Sequence, residues 1–143
     1  MDKTTGPYPV EYLTGSDVLL GEWILKSTPT DATFASANTN THPVRVLTGR
    51  SVVSGSPGRL NDLGVDWYSR DQDLRSIYQL QEGYGDLLAR YQVTHLVLGP
   101  LEKLHYRLTP DYDRRIEEEL ILHGAKLVYD RANYQVYDVQ DLQ

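Results

Sequence analysis

The chain has 143 residues, close to the length of one domain, and its 14 Lys and Arg residues against 20 Asp and Glu residues give a formal net charge of -6. A net-negative chain lacks the basic surface that supplies most of the affinity for nucleic acid, so no nucleic-acid partner is predicted. With 40% hydrophobic and 24% charged residues the composition is that of a folded globular domain, and without cysteine it contains neither a disulfide nor a cysteine-ligated zinc site.

No part of the sequence has the pattern of a membrane span or a secretory signal. The longest apolar run, residues 96–101, has six residues, whereas a membrane-spanning helix needs about 20. The first residues lack the charged and then apolar pattern of a signal peptide. We therefore expect that this chain itself does not cross a bilayer.

Apolar spacing and helix-ending residues predict the elements of the first third of the chain. Leu20, Trp23 and Ile24 fall at helical spacing, and the proline at position 29 is expected to end that helix after a cap at Thr14 or Ser16. The predicted elements are a helix over 17–26, a strand over 33–37, a brief helix over 43–49 and a strand over 51–54. Residues 44–47 fit a strand as well as a helix.

The remaining two thirds begin with a predicted loop over 55–68 that has no secondary-structure pattern, and loops of this length are usually functional. Ser69-x-x-Gln72 then has the pattern of a capping box, followed by two consecutive helices jointed near Gly83 and Gly85. The last predicted elements are a strand over 93–98, a helix over 109–124, and strands over 127–129 and 134–139 that form an antiparallel hairpin.

Alternation of strands and helices predicts parallel pairing, because each long connection must pack back over a face of the sheet. We predict a single α/β domain over 1–143, three-layered and Rossmann-like, with a mostly parallel sheet and a C-terminal antiparallel hairpin. In such sheets, ligands bind beyond the carboxyl ends of the strands. Here those ends are followed by residues 38–42, 55–58 and 99–102.

The familiar motifs for nucleotides and metals are not matched by this sequence. The glycines of the Gly83–Gly85 segment lie between two predicted helices, so they do not form a dinucleotide loop. Asp71 and Asp73, like Asp111 and Asp113, are two residues apart on predicted helices, where their side chains point about 200° apart and cannot share an ion. The four histidines lack ligand spacing. No metal, cofactor or catalytic residue is predicted.

Polar residues at the strand ends are candidates for ligand binding. His42 ends a run of hydrogen-bonding side chains over 38–42, although Asn and Thr there also form ordinary turns. Residues 55–58, flanked by Arg50 and Arg59, can present backbone amides to an anion or form a simple tight turn. Arg70 can bind a phosphate or pair with a neighbouring aspartate, Asp66 or Asp73.

An ordered series of short motifs resembles a family of membrane proteins. The series is Glu22-Trp23-Ile24, Thr28-Pro29-Thr30-Asp31-Ala32, His42-Pro43, Leu47-Thr48-Gly49-Arg50, Gly55-Ser56-Pro57-Gly58 and the segment 91–102. It resembles the carboxyl-terminal soluble region of large polytopic membrane proteins of the tyrosine-rich YYY type. These are similar to the lipid-phosphosugar-dependent glycosyltransferases of the C superfamily, such as the protein mannosyltransferases. The resemblance covers about residues 17–139.

The resemblance implies that membrane spans precede Met1 in a parent protein, that residues 1–13 lead in from the last span, and that this chain is an extramembrane domain on the side opposite the cytoplasm. The implied partners are the parent's own membrane-embedded region and a lipid-linked sugar or an acceptor. In that superfamily the catalytic acid lies between the first membrane helices, so no catalytic residue is carried over. Where such proteins often place an aromatic pair around the Gly-Pro-Gly loop, this chain has Ser56 and Arg59, which argues against a stacking role there.

The matching positions and the strand ends together give the candidate binding residues, which are Asn38, Asn40, His42, Arg50, Gly55, Gly58, Arg59, Arg70 and Glu102. The favoured function is an extramembrane domain that helps to position an acceptor or a lipid-linked sugar and is not catalytic alone. An independent small α/β enzyme or an anion- or phosphosugar-binding protein, using His42, Arg50 and Arg70, is the alternative. A structural docking domain is a third possibility, since 11 tyrosines against 2 tryptophans and 1 phenylalanine predict many half-buried rings.

Overall fold

A mixed five-stranded sheet forms the centre of the computed structural model, which describes residues 14–38, 42–53 and 67–142. The strands are β1 (Thr33–Ala35), β2 (Ser51–Val52), β3 (His95–Leu98), β4 (Lys126–Arg131) and β5 (Tyr134–Asp138), in the spatial order β2-β1-β3-β5-β4. β1 pairs in parallel with β2 and β3, whereas β5 runs antiparallel to β3 and β4. The α/β class and the C-terminal hairpin are confirmed, and the sheet is mixed rather than mostly parallel. The Rossmann-like three-layer arrangement stays a prediction.

Helices connect the strands over the described ranges. They are α1 (Gly15–Ser27), α2 (Trp67–Tyr78), α3 (Tyr84–Arg90), α4 (Pro100–His105) and α5 (Tyr112–Leu122), and a five-residue π-helical turn covers Val44–Thr48. Across residues 14–38, 42–53 and 67–142, no helix combines the length and the apolarity that crossing a membrane requires.

Helix α1 begins and ends as its sequence predicts. Thr14 Oγ1 accepts a hydrogen bond from the Asp17 N–H (3.2 Å), and Asp17 accepts one from the Thr14 N–H (2.9 Å), so the two residues cap the helix reciprocally. Thr28 is extended at the other end, with φ -124° and ψ 150°, as a residue before proline prefers.

One expectation about helices was wrong, and one helix was missed. Ser69 lies inside α2, which already includes Trp67, so it is not the N-cap of a capping box. Helix α4 was not predicted at all, although Gly99-Pro100 followed by Glu102 is a recognisable helix start, with proline at the first position and an acid at the third. Its six residues are too few to show an apolar period.

Alternate strand residues belong to two hydrophobic clusters. Because successive side chains of a strand point to opposite faces, the clusters lie on the two faces of the sheet. One joins Ala35, Leu96, Leu98 and Tyr137 to Leu74, Ile77, Leu88, Ile116 and Leu120 of α2, α3 and α5. The other joins Phe34, Val97 and Val136 to Leu20 and Ile24 of α1.

A β-bulge at Val128 lets the edge strand β4 contribute to both clusters. Leu127 pairs with Tyr137 and Tyr129 pairs with Val136, so Val128 is an extra residue in β4. Without it, Leu127 and Tyr129 would face the same side. With it, Leu127 packs against the first cluster and Tyr129 belongs to the second.

Tyrosine rings lie deeper in the core than the predicted half-buried positions. Among the described residues, the buried tyrosines are Tyr78, Tyr106, Tyr112, Tyr129, Tyr134 and Tyr137. Burial raises the pKa of Tyr112 to about 12, and burial with the charge of Glu119 raises the pKa of Tyr84 to about 12. The pKa values of Tyr78 and Tyr137 are also raised, first by burial and then by nearby carboxylates.

These tyrosines predict a loss of stability in alkaline solution. An unfolded tyrosine ionises near its ordinary pKa of 10.0, whereas the folded chain holds these protons to higher pH. As the pH rises above about 10, the unfolded state therefore binds fewer protons than the folded state. The free energy of unfolding falls as a result, by up to about 1.4 kcal/mol per pH unit for each buried tyrosine. Urea midpoints measured between about pH 9 and pH 11 should decline steeply. Tyr78→Phe should decline less steeply than wild type, and a flat profile would contradict the expectation.

Candidate functional site

The candidate site lies where β1, β2 and β3 end. We call this the carboxyl edge of the sheet, with described residues 36–38, 53 and 99–105. The chain leaves β1 towards β2 on one side, and leaves β3 towards β5 and β4 on the other. The gap between β1 and β3 is therefore the point at which strand order reverses, and open α/β sheets bind ligands at such a point.

The carboxylate of Glu102 fills this gap. Its Oε2 accepts a hydrogen bond from the Ala37 N–H after β1 (2.8 Å), and its Oε1 accepts one from the Gly99 N–H after β3 (2.8 Å). The side chain is 0% exposed. An internal carboxylate thus takes the two backbone donors at the ends of neighbouring strands, which in a ligand-binding sheet would be available to an anion.

His42 supplies a third donor to the same carboxylate. Its Nε2 lies 2.5 Å from Glu102 Oε2, and its Nδ1 accepts a hydrogen bond from the Val44 N–H (3.2 Å). Because Nδ1 accepts, the network assigns an imidazole proton to Nε2, which donates to Glu102. His42 is 1% exposed, and the structure therefore brings these two candidate residues together in a buried pair.

Tyr78 closes the same gap from α2. Its single hydroxyl proton is shared between the carbonyl oxygens of Ala35 (2.8 Å) and Val97 (2.5 Å), one on each strand. Its ring stacks on that of Tyr106, with centroids 5.1 Å apart. Burial, followed by the charge of Glu102, raises the pKa of Tyr78 well above its ordinary value, so the hydroxyl remains a donor.

Close packing also requires glycine at position 99. A Cβ there would lie 2.3 Å from ring carbons of Tyr134, so a larger residue cannot be accommodated without moving the ring. The Tyr134 hydroxyl is itself fixed, since it donates to Asp17 Oδ1 (2.6 Å) in the first turn of α1. The β3–α4 junction is therefore held against α1 and β5.

Arg50 lies away from the candidate site. It precedes β2, at the edge where the parallel strands begin, and we call this the amino edge, with residues 28–32, 91–94 and 123–125. Its guanidinium donates to the carbonyl oxygen (3.0 Å) and hydroxyl (3.3 Å) of Thr28, and so satisfies the C-terminal end of α1. Two open cavities of about 280 and 300 Å³, which share Leu142 in their linings, also lie at this edge.

Asn38 lies at the carboxyl edge, whereas Arg70 contacts residues of both edges. Arg70 donates to the carbonyl oxygen of Val53 (2.8 Å) and stands 5.3 Å from the ring centroid of Tyr91, so its charge is used by the chain itself. Asn38 Oδ1 is buried without a hydrogen-bond partner. The remaining candidate residues, Asn40, Gly55, Gly58 and Arg59, lie outside the described residues.

A second polar cluster at this edge was missed from the sequence. Asp71 Oδ1 accepts a hydrogen bond from the Tyr106 hydroxyl (3.1 Å) and lies 3.3 Å from His105 Nε2. Its neighbour Asp73 instead accepts from the Tyr91 hydroxyl (2.5 Å), so the two carboxylates diverge as predicted. Within the described ranges, no three His, Cys, Asp or Glu side chains are grouped as metal ligands.

Removing the Glu102 carboxylate should strongly destabilise the chain. Glu102→Ala leaves two buried backbone N–H groups and His42 without an acceptor, at an expected cost of about 3–5 kcal/mol. Glu102→Gln should cost less, because one acceptor remains. Formate is a small carboxylate that can accept these hydrogen bonds, so Glu102→Ala should be more stable in formate than in chloride at equal ionic strength. Glu118→Ala on the exposed face of α5 is the control, and an equal loss in both alanine variants would disprove this role.

Comparison with known proteins yields a likeness in fold. No protein-family model matches the sequence, and no curated protein matches it. Among solved structures, the chain is similar to the C-terminal globular domain of an oligosaccharyltransferase from Archaeoglobus fulgidus, with a TM-score of 0.57 and 12% sequence identity. The match covers 89% of this chain and 98% of that domain. The chain therefore has the fold of a C-terminal globular domain of an oligosaccharyltransferase.

Proposed function

We propose that this chain is the extramembrane domain of a membrane-bound glycosyltransferase-like protein and helps to position an acceptor or a lipid-linked sugar without turnover of its own. Two lines of support are independent of each other. The ordered motifs over about residues 17–139 resemble the soluble region of such membrane proteins. The fold likeness spans 98% of the C-terminal globular domain of an oligosaccharyltransferase.

The observation that carries the noncatalytic part of this proposal is the occupation of the gap between β1 and β3 by Glu102. A small-molecule enzyme on this type of sheet needs backbone donors and polar side chains that face the ligand at the strand ends. Here those donors bind a carboxylate of the chain itself, which is 0% exposed. A domain of this construction acts through its loops and edges, and the chemistry resides elsewhere in the parent protein.

The alternative of an independent enzyme or an anion- or phosphosugar-binding protein requires three side chains to meet one ligand. His42 is committed to Glu102, and Arg70 to a backbone carbonyl. Arg50 lies at the amino edge, bound to Thr28. These contacts hold the three side chains apart from one another. Turnover or phosphosugar binding by the isolated chain would favour the alternative.

The isolated chain should neither transfer nor hydrolyse a sugar. Incubated with a polyprenyl-phosphate sugar and a peptide acceptor, it should give product at the rate of the protein-free mixture, because the backbone donors at the ends of β1 and β3 already bind the carboxylate of Glu102. A turnover that persists through purification and disappears in His42→Ala would contradict the proposal. Glu118→Ala serves as the control for nonspecific effects of substitution.

A phosphosugar titration tests whether the chain itself binds such a ligand, and the gene sequence tests whether the chain belongs to a membrane protein. Mannose 1-phosphate should give no localised amide shifts around Asn38, His42 and Glu102, whereas saturable shifts there would favour the alternative. The reading frame upstream of Met1 should encode several apolar spans of about 20 residues each. An in-frame stop codon directly before Met1 would overturn the proposal that the chain belongs to a membrane-bound protein.

A further inference from the structure

The start of the described chain lies at the carboxyl edge of the sheet. Asp17, in the first turn of α1, accepts a hydrogen bond from Tyr134, the first residue of β5 (2.6 Å). Because β5 runs antiparallel to β3, Tyr134 lies beside the end of β3. The other end of α1 is bound by Arg50 at the amino edge. Helix α1, with 13 residues and about 20 Å long, therefore runs from the carboxyl edge to the amino edge.

A long connection that includes helix α4 lies at the carboxyl edge. At the amino edge, α1–β1, α3–β3 and α5–β4 are joined by residues 28–32, 91–94 and 123–125, which are five, four and three residues. At the carboxyl edge, β3 is joined to α5 by residues 99–111, which are 13 residues and include α4, and β4 is joined to β5 by the two residues 132 and 133. Long connections usually carry contacts and function, whereas tight ones close a fold.

We propose that the carboxyl edge is the surface that faces the membrane-embedded region of the same protein, and that the amino edge faces away from the membrane. The inference rests on the proposed function, in which the chain before α1 leads in from the last membrane span. A domain joined at the start of α1 presents the nearest edge to that span. The 13-residue connection with helix α4 lies on that edge, and Leu104 of α4 is 78% exposed.

The chain offers matched positions for a labelling experiment. It contains no cysteine, so each single-cysteine variant adds one unique thiol to it. Leu104 at the carboxyl edge and Leu122 at the amino edge are both helical leucines, with exposures of 78% and 77%. Arg131 and Lys126 are a second pair, at opposite ends of the same edge strand, and both are exposed. All four positions lie on the surface, so substitution should leave the fold unchanged.

The experiment compares the rate of modification by a bulky, water-soluble maleimide in two preparations. One is the isolated 143-residue chain, and the other is the protein of the complete reading frame in native membranes, with labelled sites identified by mass spectrometry. Leu104→Cys and Arg131→Cys should react several-fold more slowly in membranes than in the isolated chain. Leu122→Cys and Lys126→Cys should react at similar rates in both.

The outcomes separate this inference from the function on which it rests. A complete protein that does not sediment with membranes would overturn the proposed function and this inference together. A membrane-bound protein in which the Leu122 and Lys126 positions are protected instead would overturn the orientation alone. If each of the four positions reacts at the same rate in membranes as in the isolated chain, the orientation is also overturned and the proposed function still stands.

Discussion

The structure depends on the burial of one carboxylate. A buried charge costs several kcal/mol unless hydrogen-bond donors replace its hydration, and Glu102 is 0% exposed. Its donors come from Ala37 and His42, which are 65 and 60 residues away in sequence, and from Gly99 beside it. Satisfying this charge therefore requires β1 and β3 to end side by side and the chain after β1 to fold back over them. The same requirement occupies the place where a sheet of this kind would otherwise receive a ligand.

Local signals in the sequence predicted most elements, because the causes of those elements are local. The cap at Thr14 and the proline after Thr28 specify the ends of α1 without help from the rest of the fold. The Val128 bulge could not be predicted, since it depends on which residues β5 presents to β4. Deep tyrosine burial likewise depends on acceptors supplied by distant strands.

The sequence indicated some residues of the candidate site, but it did not indicate how they contact one another. His42 was selected for its position after a strand and Glu102 through a family resemblance, whereas their mutual contact spans 60 residues and no spacing rule reaches that far. Arg50 could have been placed correctly, because a residue before a parallel strand lies at the opposite edge from residues after one. The contact between Asp71 of α2 and Tyr106, the residue after α4, spans 35 residues. The local D-x-D pattern of Asp71 and Asp73 indicated only that these two carboxylates diverge.

The extra residue in β4 has a consequence for how copies of this domain behave beside one another. An open sheet ends in unpaired backbone groups that can recruit a strand from a neighbouring molecule. The bulge at Val128 bends the edge strand β4 and interrupts its regular pairing with β5. Lys126, Asp130 and Arg131 place charges along the same strand. Intermolecular β-sheet extension, the first step towards fibrils, is therefore discouraged at this side even when many copies are crowded together.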